Sequence, residues 1–166
     1  KVARTALASR SGLTRLRSAL ARSEGDAREE EVALAEAISA VERGQSRGDS
    51  VVTLASVVSF LGAQRAPLDK WEGDAIRDPT VVNLGLGAVT YFVRGEHEAL
   101  LKVTSALRGQ LPQASGLRGM EALSLVALDR IDEARTVLSS SWLSLQRDLW
   151  ASAAEASLLE AEGEPS

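Results

Sequence analysis

The stretch Ala122-Leu123-Ser124-Leu125-Val126-Ala127-Leu128-Asp129-Arg130-Ile131-Asp132-Glu133-Ala134 decides how the chain is read. Apolar residues fill it up to Leu128, break at Asp129-Arg130, and resume as Ile131, Ala134, Val137 and Leu138 at helical spacing. Aspartate competes with the helix backbone for hydrogen bonds and favours turns, so two helices joined by a tight turn follow. Similar turn signals stand at Gly25, Gly62, Gly95 and Gly163, and with Asp129 they leave gaps of 37, 33, 34 and 34 residues. That interval is the one at which helix-pair repeats stack, and a stacked helical array builds a surface for holding partners rather than a catalytic pocket.

Outward from this stretch nearly every patterned segment reads as helix. Leu7, Leu13, Leu16 and Leu20 form one apolar set, and Ala27 to about Val41 forms the next helix, after a break at Gly25-Asp26. A loop spans Gly44 to Gly48, and Asp49 or Ser50 caps a helix carrying Val51, Leu54, Val57, Val58 and Leu61. Pro67 opens a short helix, Leu68 to Ile76, that places Trp71 against a neighbour. Asp78-Pro79 predicts the start of a helix to Val93; its Val81, Val82, Val89 and Thr90, with Gly85 and Gly87, also permit a strand. Further helices run from Gly95 to Gly109, from Pro112 to Leu128 with Gly116 and Gly119 fraying its first turns, and from Ser144 to Ala161. About nine helices in antiparallel pairs are expected.

The length of 166 residues suits one domain, and 45% apolar residues with 4% aromatic give a core of Ala, Leu and Val. Without cysteine, disulfides and thiolate-bound zinc are excluded, and the redox compartment stays open. No apolar run reaches the roughly 18 to 20 residues that span a bilayer, so a soluble chain is expected, with the cytoplasm as default compartment. Net charge is -4, yet Lys1, Arg4, Arg10, Arg15, Arg17 and Arg22 make the opening basic, and Glu155, Glu160, Glu162 and Glu164 make the end acidic. Solvated helix faces account for this; head-to-tail contact or the orienting of a partner is the alternative.

Most of residues 50 to 166 resembles the tetratricopeptide-repeat family, built from 34-residue pairs of antiparallel helices. The family places a small residue seven before the turn, a bulky one four before it and a small one five after it. Ala122, Leu125 and Ala134 meet all three around Asp129. Ala55, Ala88 and Ala156 take the first position at the other turns, and Val58, Tyr91 and Leu159 the second. After the turn the pattern departs, with Ala99 one position early and Pro67 where the small residue belongs. The resemblance implies a single domain over residues 1 to 166, an all-α, right-handed superhelical α-solenoid whose helical pair over residues 1 to 44 is divergent. Another α-solenoid and a non-repetitive bundle are the alternatives.

Such folds act as scaffolds that receive a peptide or partner protein in a concave groove lined by the first helix of each pair. On that expectation the groove positions are Asn83, Gly87, Thr90, Arg118, Glu121 and Ser152. Family members that clamp a terminal carboxylate use asparagine on those helices, and here Asn83 is the only asparagine, so that clamp is not expected. The alternative function is homo-oligomerisation, or service as a sensor module of a larger regulator.

Enzymatic chemistry finds little material. His97 is the single histidine, between Glu96 and Glu98 at a helix opening, and reads as a surface or turn residue; no metal or cofactor is expected. Gly85 and Gly87 are only a fragment of a dinucleotide fingerprint, and Asp129, Asp132 and Glu133 lack the order of a calcium loop. Trp71, Trp142 and Trp150 read as core rather than interface anchors. Nucleic-acid binding would rest on the basic opening alone and is disfavoured.

Overall fold

The computed structural model describes residues 27–43, 47–111, 115–139, 149–161 and 163, and these form eight α-helices and one 3-10 turn with no strand among them. In chain order the helices are α1 (Ala27–Glu42), α2 (Arg47–Leu61), α3 (Leu68–Arg77), α4 (Val81–Arg94), α5 (His97–Gln110), α6 (Ser115–Ala127), α7 (Ile131–Ser139) and α8 (Leu149–Ala161). The 3-10 turn, Ala63–Arg65, follows α2. The expected opening helix, the turn at Gly25, Trp142 and the side chain of Trp150 lie outside the described residues. No described helix is long and apolar enough to cross a membrane.

The turn residues read from the sequence are the described positions that take positive φ: Gly62 at 98°, Gly95 at 70°, Asp129 at 59° and Gly163 at 77°. Two of these turns are built alike. At Gly95 the N–H groups of Gly95 and Glu96 donate to the carbonyls of Phe92 and Tyr91; at Asp129 those of Asp129 and Arg130 donate to Val126 and Leu125. This is the Schellman closure, which satisfies carbonyls that the last helical turn leaves without partners. The same closure 34 residues apart makes α4–α5 and α6–α7 equivalent hairpins.

Several boundaries differ from expectation. The start of α4 is set by Thr80, whose Oγ1 accepts from the Asn83 N–H at 3.2 Å, rather than by Asp78-Pro79. Pro67 occupies the cap position of α3 instead of its first turn. Gly48 lies within α2, and Gly109 within α5, which runs on to Gln110. The Val-rich segment after Pro79 is helix, not strand, because its glycines serve contacts between helices.

At the centre lies α2. Every residue from Ser50 to Val58 is buried, and α1, α4 and α6 pack around it. A helix apolar on all sides is one enclosed by neighbours. Within it Ser56 Oγ donates to the Val52 carbonyl at 3.0 Å. Close approach to α2 depends on glycine: a Cβ on Gly85 of α4 would lie 2.8 Å from Val51 Cγ2. Likewise, α3 meets α4 where a Cβ on Gly87 would lie 2.8 Å from that of Ala75.

The small and bulky positions before the turns are core residues in three of the four units. Ala55, Ala88 and Ala122 are fully buried, as are Val58 and, nearly so, Tyr91 and Leu125. In α8 the register differs: Ala156 and Leu159 are exposed, and Ala154 and Leu158 are buried in their place. The main core gathers α1 to α6, and a smaller cluster joins Leu125, Ala134 and Leu158 from α6, α7 and α8.

Candidate functional site

Four helix ends meet at one side of the body. Val41 lies in the last turn of α1, Val51 follows the buried Ser50 near the start of α2, Val81 and Val82 begin α4, and Leu111 follows α5. With Glu42 and Arg43 they line an apolar cleft of about 160 Å³. Local structure fixes each wall. The Thr80 cap sets where Val81 and Val82 stand, and the Leu111 N–H donates to the Leu107 carbonyl at 2.7 Å, which holds Leu111 on the end of α5.

Leu111 also lines a second, smaller recess with Thr104 and Arg108 of α5 and Leu117, Arg118 and Glu121 of α6. Its volume of about 10 Å³ is near the space that one water molecule needs. Glu121 is only 7% exposed and accepts a charge-assisted hydrogen bond from Arg108 Nη2. Burial pushes the Glu121 carboxyl above its ordinary range, outweighing the guanidinium groups of Arg108 and Arg118 that pull it down. The cleft and the recess have Leu111 in common.

The residues singled out from the sequence distribute unevenly. Arg118 and Glu121 come together in the recess. Gly87 and Thr90 are buried, the first against Ala75 and the second with Oγ1 donating to the Leu86 carbonyl at 3.1 Å, so neither faces a partner. Asn83 is half-buried and works in the cap of α4, its side-chain amide donating to the Asp78 carbonyl at 2.8 Å. Ser152 is exposed on α8. Sequence reading missed Arg108, whose partner lies 13 residues on across a connection, a separation with no helical periodicity.

His97 is half-buried rather than a plain surface residue, with Nδ1 3.2 Å from Ser124 Oγ. This histidine–serine contact is not a nucleophile poised for substrate, because Ser124 is fully buried. It joins the start of α5 to α6. Elsewhere Arg94 binds Asp69 and, at 2.7 Å, Glu72, tying α4 to α3. Arg65 reaches the buried Glu30 at 3.1 Å, tying the 3-10 turn to α1. Among the described residues no group of three or more His, Cys, Asp or Glu side chains is placed to hold a metal ion.

No protein-family model, curated protein or solved structure matches the chain.

Proposed function

We propose that the chain is a protein-protein interaction scaffold, without catalytic activity of its own, that holds a segment of a partner protein in the cleft between α1, α2, α4 and α5. The observation that carries this reading is the set of aliphatic side chains converging at four helix ends, Val41, Val51, Val81, Val82 and Leu111. A cavity of about 160 Å³ is well below the roughly 300 to 1,000 Å³ of ordinary small-molecule sites and suits an inserted side chain. The equivalent hairpins α4–α5 and α6–α7 support a tetratricopeptide-like, right-handed solenoid as the underlying plan. In that plan α6 folds back onto α2, beyond the nearest-neighbour stacking of a simple array.

The test is a comparison of native protein with Val82→Arg as bait, both checked for unchanged helicity, followed by reconstitution of each retained protein from purified components. Retention of a directly binding protein by native bait and its loss from Val82→Arg is the expected result. Equal retention by both contradicts the assignment of the cleft. A second reading, self-association, is favoured by Leu159, 39% exposed on α8. It predicts a mass by light scattering that rises with concentration and returns to that of a monomer in Leu159→Glu.

A further inference from the structure

Helix α3 stands in the connection between two hairpins, α1–α2 and α4–α5, and among the described elements its broad contact is with α4 alone. Breakers set off both of its ends: Gly62, with φ at 98°, and Pro67 precede it, and Asp78-Pro79 follow it. Leu68, Trp71 and Ala75 are its buried side chains, on one helical stripe, and the rest are exposed or half-buried. At 10 residues it is shorter than the roughly 12 to 15 that form even a marginal helix alone, so it depends on what it packs against. The face it covers runs along α4 through Gly87, Thr90 and Arg94, one stripe at i, i+3 and i+7. Gly87 admits Ala75, Thr90 Oγ1 lies 3.4 Å from the Leu68 carbonyl, and Arg94 binds Asp69 and, at 2.7 Å, Glu72. Gly87 and Thr90 are positions at which the sequence predicts a groove, and α3 fills it.

We propose that α3 is a displaceable internal ligand, covering a face of α4 that takes in its place an acidic amphipathic helix of a partner protein. Short elements with few buried side chains open locally while the body stays folded, and α4 keeps its place without α3 because it also packs against α1, α2 and α5. The chemistry of the occupant follows from what α3 presents. An aliphatic and an aromatic residue three apart are each followed by a carboxylate, as Leu68-Asp69 and Trp71-Glu72, and a small residue comes four later, Ala75. The small residue is required because Gly87 brings the two helices into close approach, and the carboxylates because Arg94 faces them. When α3 leaves, Glu96 at 3.8 Å is the carboxylate that Arg94 keeps among the described residues. The proposal rests on the scaffold reading but uses a face other than the cleft, so its failure leaves the cleft assignment standing.

The experiment begins with native-state amide hydrogen exchange of the full chain, followed by NMR. The amides of Trp71 to Arg77 are expected to exchange at least about tenfold faster than those of Leu54 to Val58 in α2 and Leu86 to Thr90 in α4, and about tenfold faster again in Arg94→Gln. Exchange of α3 at the rate of α2 would show that it leaves only when the whole chain unfolds, and overturns the proposal. The probe for the uncovered face is the acetylated, amidated peptide of residues 67–78, carrying a fluorescent label and titrated into Leu68→Ser/Trp71→Ser, in which the chain's own α3 is weakened. Saturable 1:1 binding is expected, about tenfold weaker for the Asp69→Asn/Glu72→Gln peptide. No binding, or equal binding of the two peptides, overturns the proposal; should this variant fail to fold, exchange in the native chain decides. If the native chain forms a dimer in light scattering that the peptide dissociates, the occupant is a second copy's α3 and the assignment to another protein fails.

Discussion

Gly116 on α6 approaches Val52 on α2 so closely that a Cβ built on the glycine would overlap Val52 Cγ2. The contact joins helices from units that a linear array would keep apart, and it closes the body around α2. Helical alanine is ordinarily favoured over glycine by about 0.8–1 kcal/mol, yet the overlap here forces the helices apart, and overpacking costs typically 1–3 kcal/mol. Gly116→Ala is therefore predicted to lower stability in urea unfolding, with partial recovery in Gly116→Ala/Val52→Ala. Gly109, in α5 with no atom within 4 Å of a built Cβ, is the control, and Gly109→Ala is predicted to raise stability by up to about 1 kcal/mol.

Asp129 holds φ at 59°, the left-handed conformation that costs a residue with a side chain roughly 1–2 kcal/mol. Asp129→Gly is predicted to be at least as stable as native protein, and Asp129→Val less stable by about 1–2 kcal/mol, measured by thermal or urea unfolding. A loss of stability in Asp129→Gly would show that the aspartate side chain contributes more than the turn geometry does.

Glu121 gives a pH dependence of definite sign. Its carboxyl is raised by burial, so between its unfolded value near 4.5 and its higher folded value the native state binds more protons than the unfolded chain. Stability carried by this group is therefore greatest at low pH and is lost as pH rises through the folded value. Glu121→Gln is predicted to be as stable as native protein or more so at neutral pH, and to remove that part of the slope. Arg108→Leu leaves the carboxylate buried without its partner and is predicted to cost about 1–3 kcal/mol at neutral pH. Urea unfolding at several pH values checks both.

Thr80 caps α4 and so sets the position of Val81 and Val82 in the cleft. Thr80→Ala is predicted to cost about 0.5–2 kcal/mol by the same measurement, and Thr80→Asp to retain most of the stability.

The turns were legible because each depends on one residue's backbone: a glycine or aspartate between two apolar periods predicts the positive φ found at Gly62, Gly95, Asp129 and Gly163. Helical character was legible for the same local reasons. The central place of α2 was not, since Val51 to Leu61 reads as an apolar helix whether one face or all faces are covered, and only its neighbours decide. Glycines misled, because Gly85, Gly87 and Gly116 weaken a helix in isolation and their close contacts with Val51, Ala75 and Val52 exist only after packing. Of the site, Arg118 and Glu121 were found from their place on the first helix of a pair. The same placement gave Gly87 and Thr90, which are buried because α4 packs against α1, α2, α3 and α5. The aliphatic cleft joins residues from Val41 to Leu111 and has no local signature.

The most direct test of the central claim uses the absence of cysteine in the sequence. Glu42→Cys, at the exposed rim of the cleft, and Glu133→Cys, exposed on α7, each take one environment-sensitive fluorophore and are titrated with the partner protein retained by native bait. The account predicts a saturable 1:1 spectral shift at position 42, none at position 133, and loss of the shift when Val82→Arg is added. A response at position 133 alone, or one at position 42 that survives Val82→Arg, would contradict it.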